Sequence, residues 1–154
     1  MGMGYVLIDT SVMLEILNVP KKANDHDAIM AEFKKKVDAG GTFFIPLATI
    51  METGNHIAQN GNGRQRLACA RHFVNLVEKS LDGESPFMVL KFFDQKELRK
   101  LLQDFPASAN RQESFGDLSI QKDLERLHEL KPREDISIWT LDGHLDSYSL
   151  KGDY

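Results

Sequence analysis

The chain has 154 residues, 42% hydrophobic and 27% charged, with a formal net charge of -4 and one cysteine. That length suits a single domain over 1–154, and the acidic balance excludes a nucleic-acid footprint spread over the whole surface. The lone Cys69 excludes an internal disulfide; with no apolar run near the ~20 residues of a membrane span and no basic leader, a cytoplasmic protein without membrane attachment is expected.

Tyr5 to Ile8 is a continuous apolar run ending in Asp9-Thr10-Ser11. It reads as a strand buried on both faces, with Ser11 as N-cap of a short helix from Val12 to Leu17. Asn18 and Pro20 stop that helix. Asn24-Asp25 can cap a second one, carrying Ile29, Phe33 and Val37 at helical spacing and ended by Gly40-Gly41. Thr42 to Ile45 reads as a second buried strand. Pro46 to about Gln59 is a third helix, striped by Leu47, Ile50, Met51, Gly54 and Ile57. After the break at Asn60–Gly63, Arg64 to Leu81 is a long helix with Leu67, Ala70, Phe73, Val74 and Val77 inward. Phe87 to Leu90 is a third strand. Asp94 caps a helix reaching Leu102, and a polar loop from about Phe105 to Glu113 precedes a helix from near Phe115 to Leu130, which Lys131-Pro132 ends. Ile136 to Asp142 is the last strand. Strands alternating with helices predict an α/β protein with a mainly parallel sheet.

Chemistry concentrates in four acids. Asp9 and Asp142 each follow an apolar strand, so parallel strands carry both to one edge of the sheet, where open α/β sheets bind their ligands. Glu52 lies in the first turns of the helix that leaves the second strand, near that same edge. Asp117 heads the stripe Ile120, Leu124 and Leu127, which points it toward protein; Asp123 falls on the opposite side and reads as solvated. Four carboxylates within ~5 Å of one another repel by about 3 kcal/mol per pair at an effective dielectric near 20. Oxygen donors of this kind suit hard divalent ions such as Mg²⁺ or Mn²⁺, which can activate water for phosphodiester displacement.

Leu7-Ile8-Asp9-Thr10-Ser11, Pro46 to Thr49 with Glu52, Gly116-Asp117-Leu118 opening a helix, and Trp139-Thr140-Leu141-Asp142 together resemble the PIN-domain nuclease family. In length the chain is most similar to the VapC-like toxins of toxin–antitoxin pairs. The resemblance implies a three-layer α/β/α sandwich and Mg²⁺- or Mn²⁺-dependent endonucleolytic cleavage of RNA. It implies Asp9 and Asp117 as leading metal ligands, with Glu52 and Asp142 completing the catalytic acidic pocket. Thr10, Ser11 and Thr140 would orient carboxylates or waters around them. It further implies an antitoxin protein as partner and a homodimer, although no stretch of sequence identifies the dimer interface. The polar side Ser119-Gln121-Lys122-Asp123 departs from the toxins, whose corresponding helix is rich in small apolar residues.

Arg64, Arg66 and Arg71, with His72, and a second group of Lys91, Lys96, Arg99 and Lys100, could contact RNA phosphates. Each group also reads as a solvated helix face. His56, four residues after Glu52, reads as a packing or surface residue, and Trp139 as core. Two other functions compete. A PIN-like domain without turnover could serve as a binding or scaffold module. A haloacid-dehalogenase-type phosphatase also places an Asp after its first strand, but that chemistry wants a second acid where Ser11 stands.

Overall fold

The computed structural model describes residues 4–143, 145 and 148–153. In chain order the elements are β1 (Tyr5–Ile8), α1 (Thr10–Ile16), α2 (His26–Asp38), β2 (Thr42–Ile45), α3 (Leu47–Gln59) and α4 (Gly63–Leu81). There follow β3 (Phe87–Val89), α5 (Gln95–Asn110), α6 (Phe115–Leu130), β4 (Ile136–Trp139) and β5 (Ser149–Leu150). The strands form one sheet in the order β3-β2-β1-β4-β5. β1 pairs in parallel with both β2 and β4, β2 pairs in parallel with β3, and β5 alone runs antiparallel, against β4.

The central strand explains its own position. Val6, Leu7 and Ile8 are fully buried, and each such side chain contributes about 1.5–3 kcal/mol relative to exposure. Alternation along the strands divides the core in two. Val6, Ile8, Phe43, Ile45 and Phe87 meet α1, α2 and residues of α3 and α4 on one face. Leu7, Phe44, Ile136 and Ile138 meet Ile120, Leu124 and Leu127 of α6 on the other. α5 packs on α6. The result is the expected three-layer α/β/α sandwich.

Local chemistry sets the helix ends. Asn62 and Asp94 each close a capping box, with Gln65 and Glu97 answering their own cap's backbone. α2 ends where Gly40 takes φ +86° and donates to Val37 O, a left-handed conformation that glycine adopts without penalty. Glu15 is buried, and its carboxylate accepts the backbone N–H groups of Asn24 and Asp25 at 2.9 Å, tying α1 to the start of α2.

Four expectations are corrected. Ser11 does not cap α1: Asp9 holds the cap position, and Ser11 lies inside the helix with its hydroxyl on Asp9. The loop expected from Phe105 is helical through Asn110, with Pro106 inside α5. Internal proline costs about 3 kcal/mol, but Pro106 is exposed while packing grips both sides of it. Phe105 meets Phe115 edge-on at 4.9 Å, and Ser108 is buried. Leu67 and Val74 of α4 point outward instead of inward, as does Met51 of α3. Asp123 is buried, at 2% exposure, because α5 covers the side of α6 that a lone helix would show to water.

Candidate active site

Connections from β1 through β3 step one way across the sheet, and the return through α5 and α6 enters beside β1 from the other side. The strand order therefore reverses between β1 and β4. Such a switch point opens a crevice beyond the carboxyl ends of the two strands. Asp9 follows β1 and Thr140 to Asp142 follow β4, and Asp9 N–H continues the ladder to Trp139 O at 3.0 Å.

A hydroxyl network fixes this edge. Thr140 Oγ1 donates to Asp9 Oδ2 at 2.7 Å, and Ser11 Oγ donates to the same oxygen at 2.8 Å. Two donors on one oxygen hold the buried carboxylate in a single rotamer. Leu141 N–H donates to Ser11 Oγ at 2.9 Å, and Asp142 N–H to Thr140 Oγ1 at 2.8 Å, so the chain after β4 is laced to the start of α1. Thr10 Oγ1 donates to Glu52 Oε2 at 2.9 Å. One turn earlier on α3, Thr49 Oγ1 donates to Ile8 O at 2.7 Å, which fastens α3 to the end of β1.

Asp117 arrives from the opposite layer. Ser114 caps α6 by accepting Asp117 N–H at 3.0 Å. Burial pushes the Asp117 carboxyl above its ordinary value, and the charges of Asp142, Asp9 and Glu52 push it further, while Ser114 acts against them. Asp117 thus feels all three other acids. Two residues that sequence reasoning left without a role enter here. Ser114 follows the ordinary capping pattern and was legible as such. Gly116 was not: a Cβ at this position would stand well inside contact distance of Glu52 Oε1, so the bare backbone makes the seat for that carboxylate.

Gly116→Ala is therefore expected to swing Glu52 off Thr10 while leaving the fold intact, because the group displaced is the end of a flexible side chain. If Glu52 serves a ribonuclease site of the kind the sequence resemblance implies, RNA cleavage should fall roughly 10–100-fold, the usual cost of a lost orienting contact, with no loss of thermal stability. Unchanged cleavage would release Glu52 from any part in the site.

The donor set is all oxygen, which fits Mg²⁺ or Mn²⁺ and lacks the nitrogen and sulfur ligands that mark zinc sites. Among the described residues, no three His, Cys, Asp or Glu side chains stand at the spacing that grips an ion. Glu52 also forms part of the wall of an open cleft of about 310 Å³ between α3, α5 and α6, with Met51, Asn55, Phe93 and Phe115 among its lining.

Arg64, Arg66 and Arg71 lie on α4. Arg66 donates to Gly61 O at 2.6 Å, and the Gly61 turn rests on Pro20, beyond the end of α1. Arg64 and Arg71 are exposed on α4. No hydrogen bond or ion pair among the described residues joins any of the three to the acids. No helix among the described residues is long and apolar enough to cross a membrane.

No protein-family model matches the chain, and no curated protein sequence matches it. Solved structures do. PAE2754 from Pyrobaculum aerophilum is similar over 93% of this chain and 83% of its own, with a TM-score of 0.54 at 19% identity. FitAcB from Neisseria gonorrhoeae is similar over 89% of this chain and 87% of its own, with a TM-score of 0.52 at 15% identity. The likeness is one of fold, and that fold is the PIN-like α/β/α sandwich with a central, mainly parallel sheet.

Proposed function

We propose that the chain is a metal-dependent endoribonuclease whose active site is the acidic edge between β1 and β4, of the kind that serves as the toxin of a toxin–antitoxin pair. The observation that carries the reading is the field at Asp117, where three carboxylates from α3 and the ends of β1 and β4 act on a fourth from α6. Nothing in packing requires four acids from four elements to share one edge at a switch point, and their repulsion opposes it.

In this reading Asp9, Asp117, Glu52 and Asp142 hold Mg²⁺ or Mn²⁺, directly or through water. The ion, when bound, supplies positive charge for the phosphate oxygens and a water of lowered pKa. Ser11 and Thr140 keep the Asp9 carboxylate in one orientation, and Thr10 does the same for Glu52. Gly116 leaves room for Glu52 close to the start of α6. An antitoxin partner would cover this edge with a peptide, and an Arg among the four acids could stand in for the cation.

The competing reading is a PIN-like scaffold without turnover. One experiment separates them. Purified protein is incubated with a panel of structured RNAs, with and without Mn²⁺ or Mg²⁺, beside an Asp9→Ala/Asp117→Ala variant. Metal-dependent cleavage by the wild type alone is expected. No cleavage of any RNA, together with no heat of Mn²⁺ binding in calorimetry, would leave the scaffold reading in its place.

A further inference from the structure

The open cleft of about 310 Å³ between α3, α5 and α6 adjoins the acidic edge. Glu52 belongs to both: Thr10 donates to its Oε2 at the edge, and its side chain forms part of the cleft wall. Gly116, which makes the seat for Glu52, is in the same wall, one residue before Asp117. A concave, mostly apolar wall of this size with few polar groups is the form of a small-ligand site, at the lower end of the range of about 300–1,000 Å³. Two wall residues are aromatic, Phe93 just before α5 and Phe115 at the start of α6. Arg126 lies over the Phe93 ring at 4.7 Å, and Phe105 meets Phe115 edge-on at 4.9 Å, so both rings are braced from within the protein. Of the polar side chains in the wall, Glu52 is held by Thr10 and Ser119 donates to Gly116 O at 2.8 Å. Asn55 is exposed, and its amide has no hydrogen-bond partner among the described residues.

We propose that this cleft is a base-binding subsite of the acidic edge, and that its occupant is one unpaired adenine of the RNA, adjoining the phosphate at the acids and read by Asn55. The place of that phosphate rests on the nuclease reading; the contacts to the base do not. Unpaired RNA bases are recognised by stacking on aromatic side chains and by hydrogen bonds to their edges. The cleft offers both, in its two Phe rings and its uncommitted amide. Asn55 follows Glu52 by three residues on α3, with Cβ atoms about 5–6 Å apart, a span that a single nucleotide covers. The amide sets an acceptor and a donor side by side. Adenine answers with its N6 amino group as donor and N7 as acceptor, the pairing by which Asn recognises that base. N1 beside N6 repeats the pattern, so the amide can read either edge. A purine also covers more of the apolar wall than a pyrimidine does. A second protein surface could cover the same wall, but it does not require an uncommitted amide one turn from an acid of the edge.

Methyl NMR of the full chain tests the subsite without a cleavage step. Met51 places a reporter methyl in the cleft wall, while Met13 lies in the core on the other face of the sheet. Adenosine, which has no phosphate for the acids to repel, should shift the Met51 methyl and leave that of Met13 in place. Purine riboside, the same ring without the amino group, should bind roughly tenfold more weakly, the scale of a lost bidentate pair. Asn55→Ala should abolish that difference while melting as the wild type does, since the side chain is exposed. Equal binding of the two nucleosides, or an Asn55→Ala variant that still prefers adenosine, would overturn the proposal. So would a Met51 methyl that moves with protein concentration and not with adenosine, which would make the cleft a contact between copies. RNA cleavage measured beside these titrations separates the two readings. Adenosine binding with no cleavage of any RNA keeps the subsite and removes the nuclease; cleavage with no response of Met51 to adenosine keeps the nuclease and removes the subsite.

Discussion

Asp9→Asn should abolish RNA cleavage while making the metal-free protein more stable. The substitution keeps the shape of the side chain, and an amide oxygen can still accept from Thr140 and Ser11, so the hydroxyl network between α1 and β4 survives. What disappears is one negative charge at the centre of the acidic edge. For an active site built on cation binding, losing that charge should lower cleavage by at least about 10²–10³-fold, the scale on which removal of one electrostatic group is felt. In the absence of metal the same loss relieves repulsion on Asp117, which the Asp9 charge helps to push above its ordinary protonation range. Cleavage assays and thermal denaturation, each with and without Mn²⁺, read the two effects separately. Opposed signs, with activity lost and metal-free stability gained, are what a functional acid cluster produces. A structural Asp9 would give the reverse pattern, stability lost and cleavage retained, and that result would remove Asp9 from the site.

Much of this arrangement was legible because its signals are local. The unbroken apolar runs of β1 and β2 admit no exposed face, so their burial and their parallel neighbours follow from the runs themselves. Once those strands are parallel, an acid just beyond β1 and another just beyond β4 share one edge, and Asp117 at the head of an apolar stripe must look inward. What was not legible depended on neighbours distant in sequence. The helical wheel of α6 sets Ile120, Leu124 and Leu127 toward the sheet correctly, but it contains no information about α5 and so left Asp123 in water. Leu67 and Val74 were placed inward because an apolar stripe has the same composition whether it meets the chain's own core or remains outside. The stretch from Phe105 to Asn110 is polar enough to read as a loop, and the packing of Phe105 against Phe115 keeps it helical despite Pro106. Gly116 belongs to the motif that opens α6, but its role as the seat of Glu52 shows only when that side chain is seen lying against it.

Asp123 gives the second large effect, a loss of stability as pH rises from about 4 to 7. Burial pushes its carboxyl up to about 7, against the opposing pull of Arg126, from about 3.9 in an unfolded chain. The shift is upward despite an ion pair of 2.8 Å. Arg126, however, is not Asp123's alone: it also pairs with Glu97 at 3.1 Å, donates to Lys91 O and lies over the Phe93 ring at 4.7 Å. One positive charge is shared by two carboxylates, and its pull on Asp123 does not offset the cost of burying that carboxylate. The native state therefore binds a proton between pH 4 and 7 that the unfolded chain has released. The stabilisation is complete below about pH 4 and is lost as pH rises through 7, by at most about 4 kcal/mol. Asp123→Asn removes the titrating group while leaving Arg126 its bond to Glu97. Urea unfolding of wild type and variant at intervals from pH 4 to 8 should show the two converging at the acid end and the variant more stable at the alkaline end. Asp117 is shifted in the same direction and contributes equally to both proteins, so the difference between the two curves isolates Asp123. Curves that run parallel across the range would mean that Asp123 stays ionised in its buried place, with Arg126 compensating it in full.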